Sequence, residues 1–197
     1  MRLRASARLA VVALSLLALA ACAAPPPKQA FPELTWSHLA PFKLDVAEIE
    51  VVSEFEPTFK PPHVEHFVPA PPEQTARRWA EDRLKAAGAQ GRARVIIKDA
   101  SIKEVPLEVG KDVRGYFTTE QAQRYDAAVE VEIEIRGPRG YRDGYVRARA
   151  ERTQTVPEDI TLNERERVWF ELTEGLMKDF DAEMSKNIRQ YLGRFLL

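Results

Sequence analysis

The chain has 197 residues, of which 45% are hydrophobic and 30% charged, and its formal net charge is -1. This length suits one domain of ordinary size, and the hydrophobic content excludes a wholly disordered chain. The charge balance disfavours a nucleic-acid-binding protein, which needs a basic face. Because Cys22 is the only cysteine, an intramolecular disulfide is excluded.

The first residues have the pattern of an export signal. Arg2, Arg4 and Arg8 precede a short apolar segment from Leu9 to Ala21. This segment is too short for a spanning helix, which needs about 20 residues. We therefore predict that residues 1–21 are a removable signal. Their removal takes away three of 29 basic residues and no acid, so that the mature chain is acidic overall.

The signal ends in Leu19-Ala20-Ala21-Cys22, which resembles the lipobox of bacterial lipoproteins. The resemblance implies cleavage between Ala21 and Cys22, with acyl chains on the cysteine thiol and on the new amino terminus. Several acyl chains on one residue give stable anchoring, whereas one chain binds only marginally. Ala23 in place of Asp resembles the family's outer-membrane sorting signal. We expect an anchor on the periplasmic face of the outer membrane; the alternative is a cysteine that merely ends a signal or membrane helix.

A proline-rich spacer follows the proposed anchor. The stretch "AAPPPKQAFPELT" contains consecutive prolines, which lack the amide hydrogen that a helix or a sheet requires and favour an extended chain. We predict that residues 22–40 are the anchor and linker, and that residues 41–197 form a single α+β periplasmic domain.

The first half of this domain contains a strand, a loop, a helix and a second strand. Alternating residues predict a strand over 44–55, and six prolines between Pro57 and Pro72 predict a loop. Apolar spacings of three and four predict a helix that places Trp79 inward and ends at Gly88. A second strand begins after it and is interrupted near Asp99, where we predict a bulge or break.

The clearest pattern lies in "YDAAVEVEIEIRG", where apolar residues occupy the odd positions and glutamates the even ones. This predicts a strand with one face in the core and the other in water, paired with "YVRARAERTQT" across a turn. The simplest register makes these opposite pairs: Glu134 with Arg147, Glu132 with Arg149, and Glu130 with Glu151. The first two pairs indicate a solvated sheet face, and the third is unfavourable unless a bulge relieves it.

A long helix ends the chain. Thr161 and Glu164 form a capping box, and apolar residues recur at helical spacing as far as Phe195. Such a helix reaches about 50 Å, against about 33 Å for a ten-residue strand, so we predict that it overhangs the sheet or bends at Gly175 or Gly193. Its apolar end is predicted to bind a partner through Phe195, Leu196 and Leu197.

Taken together, these elements predict an α+β fold of order β-α-β-β-β-α. We expect a two-layer sandwich in which two helices cover one face of a four-stranded antiparallel sheet. Behind a lipobox, this layout resembles the lipopolysaccharide-assembly lipoprotein and the auxiliary lipoproteins of lipid-transporting ABC systems. The resemblance concerns layout across most of the chain and implies an accessory role in the envelope.

Residues suited to chemistry are few. His63, Glu65 and His66 cluster, but the flanking prolines disfavour a helix and no third ligand is fixed, so we predict a solvated loop with no metal or cofactor. The sequence has no nucleophile elbow and no phosphate-binding glycine loop, and we predict that it is not an enzyme. Trp79 and Trp169 are predicted core residues; Trp36 either packs under the sheet edge or contacts a partner.

Three functions follow from this reading. The first is a non-catalytic, membrane-anchored accessory subunit in envelope lipid transport or outer-membrane assembly, whose partner is an ABC-transporter or outer-membrane barrel component. The second is a stand-alone lipid- or ligand-binding module, with room for a cavity over Ala127, Ala148 and Ala150. The third is a structural envelope protein. Independently of these hypotheses, the bilayer is a predicted partner, reached through the acyl chains on Cys22.

Overall fold

The fold is α+β, as predicted, in a computed structural model that describes residues 29–107 and 121–197. The predicted signal, its cleavage after Ala21 and the lipidation of Cys22 lie outside the described residues. The elements are β1 (Phe42–Leu44), β2 (Glu48–Ser53), α1 (Pro72–Arg83), β3 (Leu84–Ala86), β4 (Arg92–Asp99), β5 (Ile102–Pro106), β6 (Gln121–Arg136), β7 (Arg142–Pro157), α2 (Leu162–Tyr191) and a 3-10 turn at Gly193–Phe195.

The main sheet is mixed and has five strands. Its first two strands, β2 and β4, are parallel, because the chain crosses over through α1 between them. Strands β4 and β5 pair in turn with one edge of β6, and β7 pairs with the other edge. The predicted break near Asp99 is confirmed by a register shift between Ile97 and Asp99. The predicted four-stranded antiparallel sheet is wrong.

A second, smaller sheet also departs from the prediction. Strand β3 pairs in parallel with β1, from Phe42 opposite Leu84 to Leu44 opposite Ala86. The predicted helix to Gly88 therefore ends at Arg83, because the next three residues form backbone hydrogen bonds with another strand instead. The predicted simple two-layer sandwich is also wrong, because it contains only one sheet and the structure has this second one.

One face of the main sheet forms the core together with both helices. The odd-numbered residues Ala127, Val129, Val131, Ile133 and Ile135 are all buried, which confirms that they form the core face of β6. Trp79 of α1 is fully buried against the ring of Phe180 from α2, with 4.9 Å between centroids. The apolar stripe of each helix thus covers the apolar face of the sheet.

The β6–β7 hairpin differs from the predicted register by two residues. Glu132 lies opposite Arg147, Glu130 opposite Arg149, Glu134 opposite Tyr145 and Ala128 opposite Glu151. The turn closes earlier than expected, with Gly140 at φ 81° and an irregularity between Ile135 and Arg136. The predicted repulsion between Glu130 and Glu151 therefore does not arise.

The long helix and the hairpin have similar lengths. Strands β6 and β7 have 16 residues each and reach about 53 Å, whereas the 30 residues of α2 reach about 45 Å. Of the two predicted alternatives, the overhang does not arise, because both strands extend further than their alternating centres. The helix instead ends at Tyr191, and the chain turns at Gly193–Phe195, next to the predicted bend at Gly193. The capping box is confirmed: Glu164 N donates to Thr161 Oγ1 at 3.3 Å and Thr161 N donates to Glu164 Oε2 at 3.0 Å.

Candidate functional site

The carboxyl-terminal residues predicted to bind a partner fold back onto the domain. Asp45 N donates to Phe195 O at 2.8 Å, and Leu197 N donates to Lys43 O at 3.0 Å. Phe195 and Leu196 are half-buried against the core, while Leu197 is 67% exposed. Partner binding here stays a prediction, and Leu197 is the residue of the three with most of its surface free for it.

The three tryptophans and the three inward-facing alanines are all buried in the core. Trp169 and Trp36 are both buried, and Trp36 N donates to Asp82 Oδ2 of α1 at 2.8 Å. The alanines of the sheet share one buried cluster with Leu172 and Leu176, and α2 lies close to β7. These alanines are Ala127, Ala148 and Ala150. Their small size lets the helix approach the sheet.

Residues 57–69 form an ordered loop, here named the aromatic loop, which is hydrogen-bonded to β5. Val64 N donates to Ile102 O at 2.9 Å, and Glu104 N donates to Pro62 O at 2.8 Å. The carboxylate of Glu65 accepts from Ile102 N at 3.3 Å. The buried side chains of Val64 and Val68 extend this attachment into the core.

The histidine cluster of this loop is more buried than a solvated loop would be. Glu65 is 4% exposed, and its Oε2 lies 3.4 Å from His63 Nδ1. Within the described residues, the buried atoms His63 Nδ1, Glu65 Oε1 and His66 Nδ1 have no hydrogen-bond partner. Across 29–107 and 121–197, no group of three or more His, Cys, Asp or Glu side chains is arranged to hold a metal ion.

Two phenylalanine rings stand out from the aromatic loop into solvent. Phe59 is 65% exposed and Phe67 is 64% exposed, and His66 lies between them, with ring centroids 5.3 and 3.9 Å away. Phe59 has φ 54°, a conformation that costs a bulky residue about 1–3 kcal/mol. The surrounding contacts hold this strained backbone and present the ring outward. Sequence patterning missed the pair, because a proline-rich loop has no periodicity from which exposure can be inferred.

The aromatic loop lies next to the start of the domain. Phe31 stacks on Phe170 of α2 with 5.0 Å between ring centroids. Phe31 and Leu34 also line a surface groove together with Pro69, the last residue of the aromatic loop. Arg78 of α1, which lines the same groove, forms an ion pair with Glu33. The segment that follows the predicted anchor therefore meets the domain beside the aromatic loop.

The opposite face of the sheet carries a network of ion pairs. Glu130 is 6% exposed and binds two arginines, with Oε1 2.5 Å from Arg147 Nη2 and Oε2 2.9 Å from Arg149 Nη1. Glu134 is also buried and is bound by Arg136 and Arg142. The prediction that this face is solvated is wrong for these two glutamates, because the long arginine side chains lie over them.

These contacts keep the buried carboxylates ionised. Burial raises the pKa of Glu130, but hydrogen bonds from Arg147 and Arg149 outweigh that effect and leave the pKa below its ordinary value. A hydrogen bond from Arg136 lowers the pKa of Glu134 in the same way. General acid–base catalysis needs a pKa near the working pH, so these groups are suited to holding arginines rather than to moving protons.

No family model and no curated protein matches this chain. In the parts of the chain that the structure describes, no helix has the length and apolarity to cross a bilayer. The features on which a functional proposal can rest are the lipobox-like residues at the end of the predicted signal, the aromatic loop and the charged sheet face.

Proposed function

We propose that this chain is a lipid-anchored lipoprotein on the periplasmic face of the outer membrane. It acts there as a non-catalytic accessory subunit in envelope lipid transport or outer-membrane assembly. The observation that carries the proposal is the sequence Leu19-Ala20-Ala21-Cys22 at the end of a short apolar segment that follows three arginines. Acyl chains on Cys22 anchor the mature chain, because each methylene buried in lipid contributes about 0.8 kcal/mol.

The position of the domain along the chain supports a role at the membrane. Phe31, which packs on Phe170, is nine residues beyond Cys22. Nine residues span at most about 30 Å even when fully extended. An anchored domain therefore stays within a short distance of the bilayer, where its partners are membrane components.

Replacing the predicted lipid acceptor tests the anchor. Cys22→Ser removes the thiol that is acylated, so we expect the protein to move from the membrane to the soluble periplasmic fraction. Ala23→Asp is the matched variant, which keeps the thiol but changes the sorting residue, and we expect it to move from the outer to the inner membrane. Fractionation with mass spectrometry of the amino-terminal peptide measures both results. Unchanged membrane retention of Cys22→Ser would contradict the anchor.

The partner is identified by crosslinking in cells, followed by co-purification in detergent through a carboxyl-terminal tag. The side chain of Leu197 is exposed, so the tag follows it through a flexible linker that leaves residues 195–197 in place. We expect an ABC-transporter or outer-membrane barrel subunit to copurify with the protein. Recovery of bound lipid without protein would instead favour the stand-alone carrier, and recovery of neither would contradict a stable accessory complex.

A further inference from the structure

We infer that the aromatic loop is a membrane-contacting surface, and that Phe59 and Phe67 insert into the lipid interface and fix the orientation of the domain on the bilayer. The inference rests on the proposed anchor at Cys22, which brings the domain to the membrane. Its occupant is a lipid surface, since phenylalanine is among the apolar side chains that peripheral proteins bury at the boundary between headgroups and acyl chains.

The first step is that the loop presents both rings in a fixed form. Phe59 and Phe67 are about two-thirds exposed, although one exposed apolar side chain alone would be ordinary. His66 packs between them, and the hydrogen bonds from Val64 and to Pro62 hold the loop on β5. Little conformational entropy is then lost when the rings enter lipid, because the loop is already ordered.

The second step is the position of the loop relative to the anchored segment. Phe67 is two residues before Pro69, and Pro69 shares a groove with Phe31. The chain length between Cys22 and Phe31 holds this groove within about 30 Å of the acyl chains.

The third step is that the exposed aromatic ring of Tyr141 lies at the other end of the sheet. The aromatic loop is attached to β5, whose Ile102 pairs with Ala127 of β6. The turn that contains Tyr141 begins at Gly137, ten residues further along the chain, or about 33 Å. In the inferred orientation the strands run away from the bilayer surface, so Tyr141 lies clear of it and serves as a matched control.

The test measures the depth of two sites in the lipidated full-length protein. A fluorophore is attached to an introduced cysteine, Lys60→Cys in the aromatic loop or Arg139→Cys in the hairpin turn. The protein is reconstituted in vesicles of phosphatidylethanolamine and phosphatidylglycerol that contain a nitroxide-labelled lipid. We expect strong quenching at position 60 and little at position 139. Phe59→Ser with Phe67→Ser should abolish the quenching at position 60, while Tyr141→Ser should leave it unchanged.

Vesicle flotation and the mass of the Cys22 peptide show whether the protein is acylated and membrane-bound, independently of the quenching. An acylated, floating protein with equal quenching at positions 60 and 139 would overturn the inference and leave the anchor standing. A protein without acyl chains that is still quenched at position 60 would overturn the anchor and support the loop. A protein with neither acyl chains nor quenching would overturn both. The comparison of positions 60 and 139 needs no phenylalanine variant, so it decides the matter even if the double variant misfolds.

Discussion

One carboxylate, that of Asp181, joins the two helices through buried polar groups. It accepts a hydrogen bond from Trp79 Nε1 at 2.7 Å and another from Arg83 Nε at 2.9 Å. Arg83 is buried, and its remaining donors reach Ser185 Oγ at 3.0 Å and the carbonyl of Ala40. A buried guanidinium is tolerated here because each of these partners satisfies part of it.

Removal of the Asp181 carboxylate should therefore be costly. We expect Asp181→Ala to lower the free energy of unfolding by about 3–5 kcal/mol, because it leaves the charge of Arg83 buried without its counterion. Asp179 lies on the same helix as Asp181 and forms an exposed ion pair with Arg152 of β7. Asp179→Ala should therefore cost at most about 1 kcal/mol. Urea denaturation of both variants measures the difference, and equal losses would show that the Asp181 pair contributes no more than a surface ion pair.

The β6–β7 hairpin is stabilised on both of its faces. The apolar face lies under α2, and the other face has Glu130 and Glu134 beneath arginines. Because the pKa of Glu130 is lowered in the folded protein, this carboxylate stabilises the hairpin fully at pH values above 4.5, the ordinary glutamate value. Its contribution is lost as the pH falls through the lower pKa of the folded state.

The pH dependence of stability tests this network. We expect Glu130→Gln to lower the free energy of unfolding at pH 7 by about 1.5–3 kcal/mol, the range for hydrogen bonds to charged groups. On acidification below pH 4.5, the variant should lose less stability than the natural protein, since the titrating group is gone. Glu151→Gln, an exposed partner of the same Arg149, is the control and should change neither value by more than about 0.5 kcal/mol. Parallel pH profiles for the natural protein and Glu130→Gln would contradict the assignment.

Across the whole molecule, the carboxyl terminus closes the domain. Leu196 forms a β-bridge with Leu44, which is fully buried, and the neighbouring residues Phe195 and Leu197 bind the backbone of Asp45 and Lys43. The last residues of the chain thus bind the backbone of β1, which also pairs with β3. A role for residues 195–197 in partner binding must be separated from this role in folding.

A truncation and a point variant make that separation. Deletion of residues 193–197 removes two backbone hydrogen bonds to β1 and its neighbour and the packing of Phe195, so we expect a loss of about 2–4 kcal/mol in unfolding free energy. Leu197→Ser should cost less than about 0.5 kcal/mol, because that side chain is exposed. Thermal and urea unfolding measure both. A stable truncated protein would show that the closure contributes little, and loss of a copurifying partner with Leu197→Ser alone would support docking.

Local sequence patterns predicted the elements whose signals lie within a few residues. The capping box at Thr161 and Glu164, the apolar face around Val131 and the interruption at Asp99 all depend on neighbours in sequence, and the structure confirms them. Trp79 was placed inward by helical spacing for the same reason. The predicted anchor at Cys22 is of this local kind as well, and it stays a prediction.

Contacts between distant residues set the features that these patterns missed. The parallel pairing of β2 with β4, the two-residue change of register in the hairpin and the ending of α1 at Arg83 each depend on which strand lies alongside. The burial of Glu65 and the exposure of Phe59 depend on how the aromatic loop is attached to β5. Periodicity along the chain reports which face of an element is apolar, but pairing energies between elements depend on the assembled backbone. The two helices and the long strands could therefore be derived from spacing, whereas strands β1 and β3 and the candidate surface depend on long-range packing.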